Sequence, residues 1–262
     1  MKISDVQRVD VVAKLRDSGC VFAEEEAELF ISTAKTVDEL TYMVDRRVAG
    51  LPVEYILGWA EFCGLRITIE SGVFVPRHRT EFLVQQAIAV APPSRNIIVD
   101  LCCGTGAIGM AVVTLLGHGE LYAVDIDSAA IRCARDNIGN RGRVFEGDLY
   151  EPLPREVLGH VDILIANAPY VPTDAVAMLP QEARLYESTI ALDGGYDGLD
   201  VQRRVIAEAP FWLAPGGNLI IETSRRQSEK TAELLTRQGL TTQVRCSEDM
   251  EATVVIGTKP TV

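Results

Sequence analysis

The 262 residues carry 25 basic and 37 acidic side chains, a formal net charge of −12, and are 47% hydrophobic. That is the balance of a soluble globular chain, long enough for one large domain or for a domain with a small appendage. It argues against bare nucleic acid as the main partner, because such binding rests on Lys and Arg neutralising phosphates.

The first fifteen residues, MKISDVQRVDVVAKL, place charges among the apolar positions and do not read as a signal peptide. No window approaches 18 uninterrupted apolar residues, so no membrane span is predicted and the chain is expected in the cytoplasm, as a monomer. Residues 4–49 read as helical. Val6, Val9, Val12 and Leu15 stand at helical spacing, Gly19 can end that helix, and Gly50 with Pro52 closes the region. Residues 1–58 are therefore expected to form a small helical domain. In residues 61–76, Leu65, Ile67 and Ile69 alternate, Glu70-Ser71-Gly72 is a turn signal, and Val73 to Val75 resume the pattern. This predicts a β-hairpin, with residues 59–78 as a linker.

Beyond residue 79 short apolar runs alternate with helical stretches. Strands are predicted at 96–101, 121–124, 143–146, 162–166, 217–222, 242–246 and 253–256. Helices are predicted around 108–116, 129–137, 199–213 and 227–238. The alternation predicts an α/β fold, a doubly wound, mostly parallel, Rossmann-like seven-stranded sheet over residues 79–262. Only Ser247 to Ala252 separate the last two strands, too few for a crossover helix, so that pair should be antiparallel. The basic clusters at 135–143 and 224–227 read as solvated faces. The six cysteines show no CxxC pair or zinc spacing and read as free thiols; with three scattered histidines, no metal site is expected.

Residues 97–112, IIVDLCCGTGAIGMAV, are a strand, a glycine loop and a helix. Gly104, Gly106 and Gly109 match the dinucleotide pattern G-x-G-x-x-G. Asp100, directly before the loop, is expected to face the ligand. It would repel a pyrophosphate and favour a cation. S-adenosylmethionine, with a sulfonium and an ammonium, is such a cation, and its usual loop is D/E-x-G-x-G-x-G. Here Cys102 replaces the first glycine, a change compatible with a φ below zero. Cys102, Cys103, Gly104, Thr105 and Gly106 are the candidate loop contacts. Asp125, ending the second strand, can accept both ribose hydroxyls, while Asp127 reads as a helix N-cap. Asp148 and Leu149, after the third strand, are candidates for the adenine.

The fourth strand ends in Asn167-Ala168-Pro169-Tyr170. This resembles the N-P-P-Y motif of methyltransferases that modify a nitrogen conjugated to a π system. Residues 52–84, PVEYILGWAEFCGLRITIESGVFVPRHRTEFLV, and residues 182–200, EARLYESTIALDGGYDGLD, further resemble the release factor glutamine-N5 methyltransferases. The similarity runs from about residue 45 to 258. It implies S-adenosylmethionine as cofactor, Asn167 also beside it, and a protein substrate, a peptide chain release factor with its Gly-Gly-Gln motif being one candidate. It implies catalytic roles for Asn167, Ala168, Pro169 and Tyr170. The Asn167 oxygen and the Ala168 carbonyl would accept the two N–H groups of the target amide, and Tyr170 would cover it. Ala168, His78, Arg79, Ser188 and Cys102 depart from the family pattern and mark a divergent paralogue whose substrate is left open. An adenine-N6 nucleic-acid methyltransferase, a non-catalytic cofactor-binding module and a nicotinamide oxidoreductase are the competing readings.

Overall fold

A computed structural model describes residues 5–93 and 96–261. Four helices come first: α1 (Asp5–Asp17), α2 (Ala23–Thr33), α3 (Val37–Val48) and the short α4 (Val53–Leu57). They bury a core of Leu15, Ala27, Phe30, Leu40, Met43 and Val44. Thr36 caps α3 by accepting from the Glu39 amide at 3.1 Å. The apolar stripe predicted along α1 is only partly used. Leu15 is buried, but Val6 and Val9 are exposed, because α2 and α3 cover only the C-terminal half of that helix.

The hairpin exists, with a different partner from the one predicted. β1 (Trp59–Phe62) pairs antiparallel with β2 (Leu65–Thr68), and the chain reverses through Cys63-Gly64 at φ 50° and 72°. Both turn residues being left-handed gives the twist that a two-residue hairpin needs. Residues 73–75 are not a strand. Glu70 to Val73 form the turn that the motif signals, and the chain beyond runs extended against residues 187–188. A cysteine in a left-handed turn position is what hid the true reversal.

α5 (Glu81–Ala89) leads into the main sheet. Its elements are β3 (Ile97–Leu101), α6 (Ala107–Leu116), β4 (Glu120–Asp125), α7 (Ser128–Ile138), β5 (Gly142–Glu146), β6 (Val161–Ala166), α8 (Gln181–Tyr186), α9 (Asp200–Trp212), β7 (Leu213–Glu222), α10 (Ser228–Arg237), β8 (Thr241–Ser247) and β9 (Ala252–Thr258). The strand order is β5-β4-β3-β6-β7-β9-β8. The first five strands are parallel, and β9 is antiparallel to both β7 and β8, as the short connection requires. All seven predicted strands are present. β7 starts four residues early, at Leu213, because Val161 pairs with Leu213 before a register shift over the glycines. One apolar cluster joins α5, α6 and α7 to one face of the sheet, and another joins α9 and α10 to the other. Strand order reverses beside β3, so the carboxyl ends of β3, β4, β5 and β6 border a crevice.

Candidate functional site

A cleft of about 880 Å³ opens over those carboxyl ends. Cys102, Cys103, Gly104, Thr105, Asp125, Asp148, Leu149, Asn167, Ala168, Pro169 and Tyr170 all line it. The candidates named from sequence thus converge on one wall, with two exceptions, Asp100 and Gly106.

Asp100 does not face the cleft. It is wholly buried beneath the loop, where its Oδ2 accepts from the Gly109 amide at 2.8 Å. Gly109 must be glycine, since a Cβ there would lie 2.7 Å from Leu121 Cδ1 and 3.0 Å from the carboxylate. Gly106 turns the chain into α6 at φ 76°, and a Cβ on it would strike Ile138 at 2.8 Å. Both residues shape the loop from behind. Cys102 also differs from expectation, lying at φ 55° in the left-handed region that its glycine predecessor in the motif suits. A side chain there costs about 1–2 kcal/mol.

Burial raises the Asp100 carboxyl to about 7, the Gly109 amide pulls the other way, and Asp125 adds to the rise. An acid whose folded pKa is raised contributes most at low pH and loses that contribution as pH climbs through the folded value. The margin of Asp100→Asn over wild type should therefore widen by on the order of 2 kcal/mol between pH 5 and pH 8, measured by urea unfolding. A margin constant across that window would show that Asp100 is already ionised at pH 5.

Three loop amides are already occupied. Cys103 donates to the Val124 carbonyl at 3.0 Å, Gly104 to Asp125 Oδ2 at 2.8 Å and Gly106 to the Cys103 carbonyl at 2.8 Å. A pyrophosphate would find those three amides taken. Burial raises the Asp125 carboxyl, while the amides of Asp127 and Gly104 hold it down. The Cβ position of Gly104 meets nothing within 4 Å, so the loop backbone is open to close approach. Asp127 caps α7 by accepting from the Ala129 amide at 2.8 Å. Asp148 accepts from Arg204 Nη2 of α9 at 2.7 Å, a partner the sequence did not suggest.

At the other end of the cleft, neither the Asn167 side chain nor the Ala168 carbonyl is taken by a donor among the described residues. The turn itself is held from behind. Val171 exchanges backbone bonds with Leu192 and Gly194 at 3.1 and 2.8 Å. Gln227 Nε2 donates to the carbonyls of Tyr170 and Asp197 at 2.9 and 3.0 Å. A Cβ on Gly194 would lie 2.6 Å from the Gly198 carbonyl oxygen and 2.7 Å from that of Pro169. The segments at 76–81 and 186–188 prove to be one structure. Arg77 pairs with the buried Glu187 at 2.5 Å, and Glu187 also accepts from the Val75 amide at 3.2 Å. Sequence reasoning missed Arg79, Glu222, Gln227 and Asn137 as parts of this site. Asn137 ties β2 to the glycine loop, its amide donating to the carbonyls of Thr68 and Thr105, both at 2.9 Å. Arg79 and Gln227 sat in stretches already singled out.

A family model, the methyltransferase small domain, matches residues 64–189. A release factor glutamine methyltransferase of Geobacter sulfurreducens is 38% identical over 200 residues, covering 75% of this chain and 69% of the relative. One from Mycolicibacterium smegmatis is 35% identical, covering 80% and 74%. The chain belongs to the release factor glutamine methyltransferase family. It is accordingly an S-adenosylmethionine-dependent methyltransferase, and the open backbone at Gly104 and the Asp125 carboxylate in the cleft fit that cofactor. A family member of Clostridium acetobutylicum aligns over 91% of this chain and 92% of its own length at 28% identity. Among solved structures, the fold matches a ribosomal protein L11 methylase of Lactobacillus delbrueckii at TM-score 0.52 and 16% identity, covering 74% of this chain and 85% of that one. It also matches a Thermus thermophilus 16S rRNA N2 G1207 methyltransferase solved with AdoMet and guanosine, at TM-score 0.55 and 19% identity, covering 77% and 49%. Among the described residues no helix is long and apolar enough to cross a membrane, and no group of three His, Cys, Asp or Glu could hold a metal ion.

Proposed function

We propose that this family member methylates the side-chain amide nitrogen of a protein glutamine, and that the glutamine of the Gly-Gly-Gln motif in a peptide chain release factor is its substrate. The observation that carries the reading is the turn after β6. It presents an amide oxygen and a main-chain carbonyl, both free of donors among the described residues, in one cleft with the cofactor loop. When bound, S-adenosylmethionine supplies an electrophilic methyl group.

The chain's residues supply the rest. An amide nitrogen is a poor nucleophile, because its lone pair is shared with the carbonyl. Asn167 Oδ1 and the Ala168 carbonyl accept its two N–H groups and so fix the nitrogen in space, the kind of orientation on which such reactions depend. Both acceptors bind more strongly as positive charge builds on nitrogen, which is binding realised in the transition state. Tyr170 covers the planar amide. Pro169 holds residue 168 extended, and the role given to Ala168 uses only its carbonyl, so the missing proline ring there leaves the acceptor in place. Asp125 accepts the ribose hydroxyls and Asp148 the adenine amino group. The helical region of residues 5–58 holds the protein substrate; its exposed Val6, Val9, Phe22 and Tyr42 support that assignment.

The test is transfer from methyl-labelled S-adenosylmethionine to a purified release factor. The expected product is a 14-dalton gain, the mass of the methylene added, on the Gly-Gly-Gln peptide. Intact cofactor binding with no label on release factor overturns the substrate assignment, and label entering nucleic acid instead would favour the adenine-N6 reading.

A further inference from the structure

The hydroxyl of Tyr170 is gripped from two sides by residues that no motif assigned to the acceptor. It donates to Glu222 Oε1 at 3.2 Å and accepts from Arg79 Nη2 at 3.0 Å. Arg79 Nε lies 3.6 Å from the same Glu222 oxygen, which closes a three-membered cluster. The members come from three distant places: Arg79 from the turn before α5, Tyr170 from the turn after β6, and Glu222 from the end of β7. Arg79 and Tyr170 line the cleft, Glu222 stands behind the ring, and the Arg79 side chain is 48% exposed against 4% for Glu222.

We propose that Arg79 is a positioning residue for the acceptor pocket, acting through the Tyr170 hydroxyl with Glu222 as its anchor. The proposal rests on the glutamine-methylation reading for what the ring covers, but not for the contact itself. A tyrosine on a turn can swing about its two side-chain torsions. Here its main chain is tied by Gln227 and its hydroxyl by two partners on separate elements, which leaves one ring orientation. The bond to Glu222 alone would not suffice. Burial drives that carboxyl toward its neutral form; the Thr80 hydroxyl opposes this, and Arg79 adds the opposing charge. Without Arg79 the anchor keeps a buried charge with hydroxyl partners only or gives it up, and either outcome loosens the ring.

A double-mutant cycle tests the coupling. Arg79→Met and Tyr170→Phe should each lower kcat on a release factor by about tenfold, with cofactor affinity unchanged, and the double variant should be no slower than either single one. Arg79→Lys, which keeps the charge but not the two separate donor nitrogens, should recover only part of that loss. A second readout needs no acceptor. In protein labelled at tyrosine Cζ, the Tyr170 resonance, identified by its loss in Tyr170→Phe, should move in Arg79→Met and move much less in Arg79→Lys. Losses that multiply in the double variant, or a Tyr170 resonance unmoved by Arg79→Met, overturn the proposal. If wild type transfers nothing to release factor while that resonance still moves, the substrate reading fails and the positioning role stands. Should Arg79→Met not fold, Glu222→Gln removes the anchor's charge, and the same two outcomes apply to it.

Discussion

Replacing Asn167 by alanine is expected to lower methyl transfer by about 100- to 1,000-fold, the range seen when one preorganised hydrogen-bonding group is removed from a reacting centre. Its side chain makes no hydrogen bond within the described protein, so its loss leaves no partner stranded and the fold should be untouched. The cofactor loop is built from Asp100, Asp125 and its own amides, so S-adenosylmethionine affinity should stay within about twofold of wild type. Calorimetry with S-adenosylhomocysteine, set beside single-turnover transfer, separates the two quantities. A collapse of cofactor binding would mean that Asn167 serves the cofactor rather than the acceptor. Asn167→Asp keeps the shape and one acceptor oxygen, and should be slowed much less than the alanine variant if accepting the N–H is the whole role.

Gly194→Ala should damage the acceptor turn through contact alone. The glycine has no positive φ, so no backbone penalty enters. What enters is contact: the added carbon would lie 2.6 Å from the Gly198 oxygen and 2.7 Å from the Pro169 oxygen, both main-chain atoms that cannot rotate away. Overpacking of this kind costs about 1–3 kcal/mol. The functional loss should be larger than that implies, because Pro169 lies inside the acceptor turn. A shift of about 1 Å in a positioning element can cost about 100-fold in rate. The measurement is activity at a temperature well below the unfolding midpoint, with cofactor binding as the control. A variant that loses stability but keeps its rate would show that the turn after β6 does not depend on the glycine segment for its shape.

The helical stripe, the hairpin and the sheet differ in how far they could be read. Parallel strands buried on both faces are continuous apolar runs, and so β3, β4 and β6 stood out in the sequence. The antiparallel end followed from a connection too short to cross over. The α1 stripe misled because periodicity shows which side of a helix is apolar, not how much of it a neighbour covers. The hairpin misled because Cys63 takes a backbone conformation that its side chain disfavours, at a turn that pairing on both sides stabilises.

The site divides in the same way. Local chemistry, which lies within a few residues, was determined by the sequence itself: a glycine loop after a strand, an acid at the end of the next, a helix cap at Asp127, and an amide and a carbonyl side by side before a proline. Direction and partnership were decided only by the tertiary structure. Asp100 points beneath its loop because Gly109, on the first turn of α6, leaves room there and offers its amide. Arg79, Tyr170 and Glu222 meet across 91 and 52 residues of chain. Arg77 finds Glu187 across 110. Contacts at such separations leave no spacing in the sequence, because the sheet, not the local chain, brings them together.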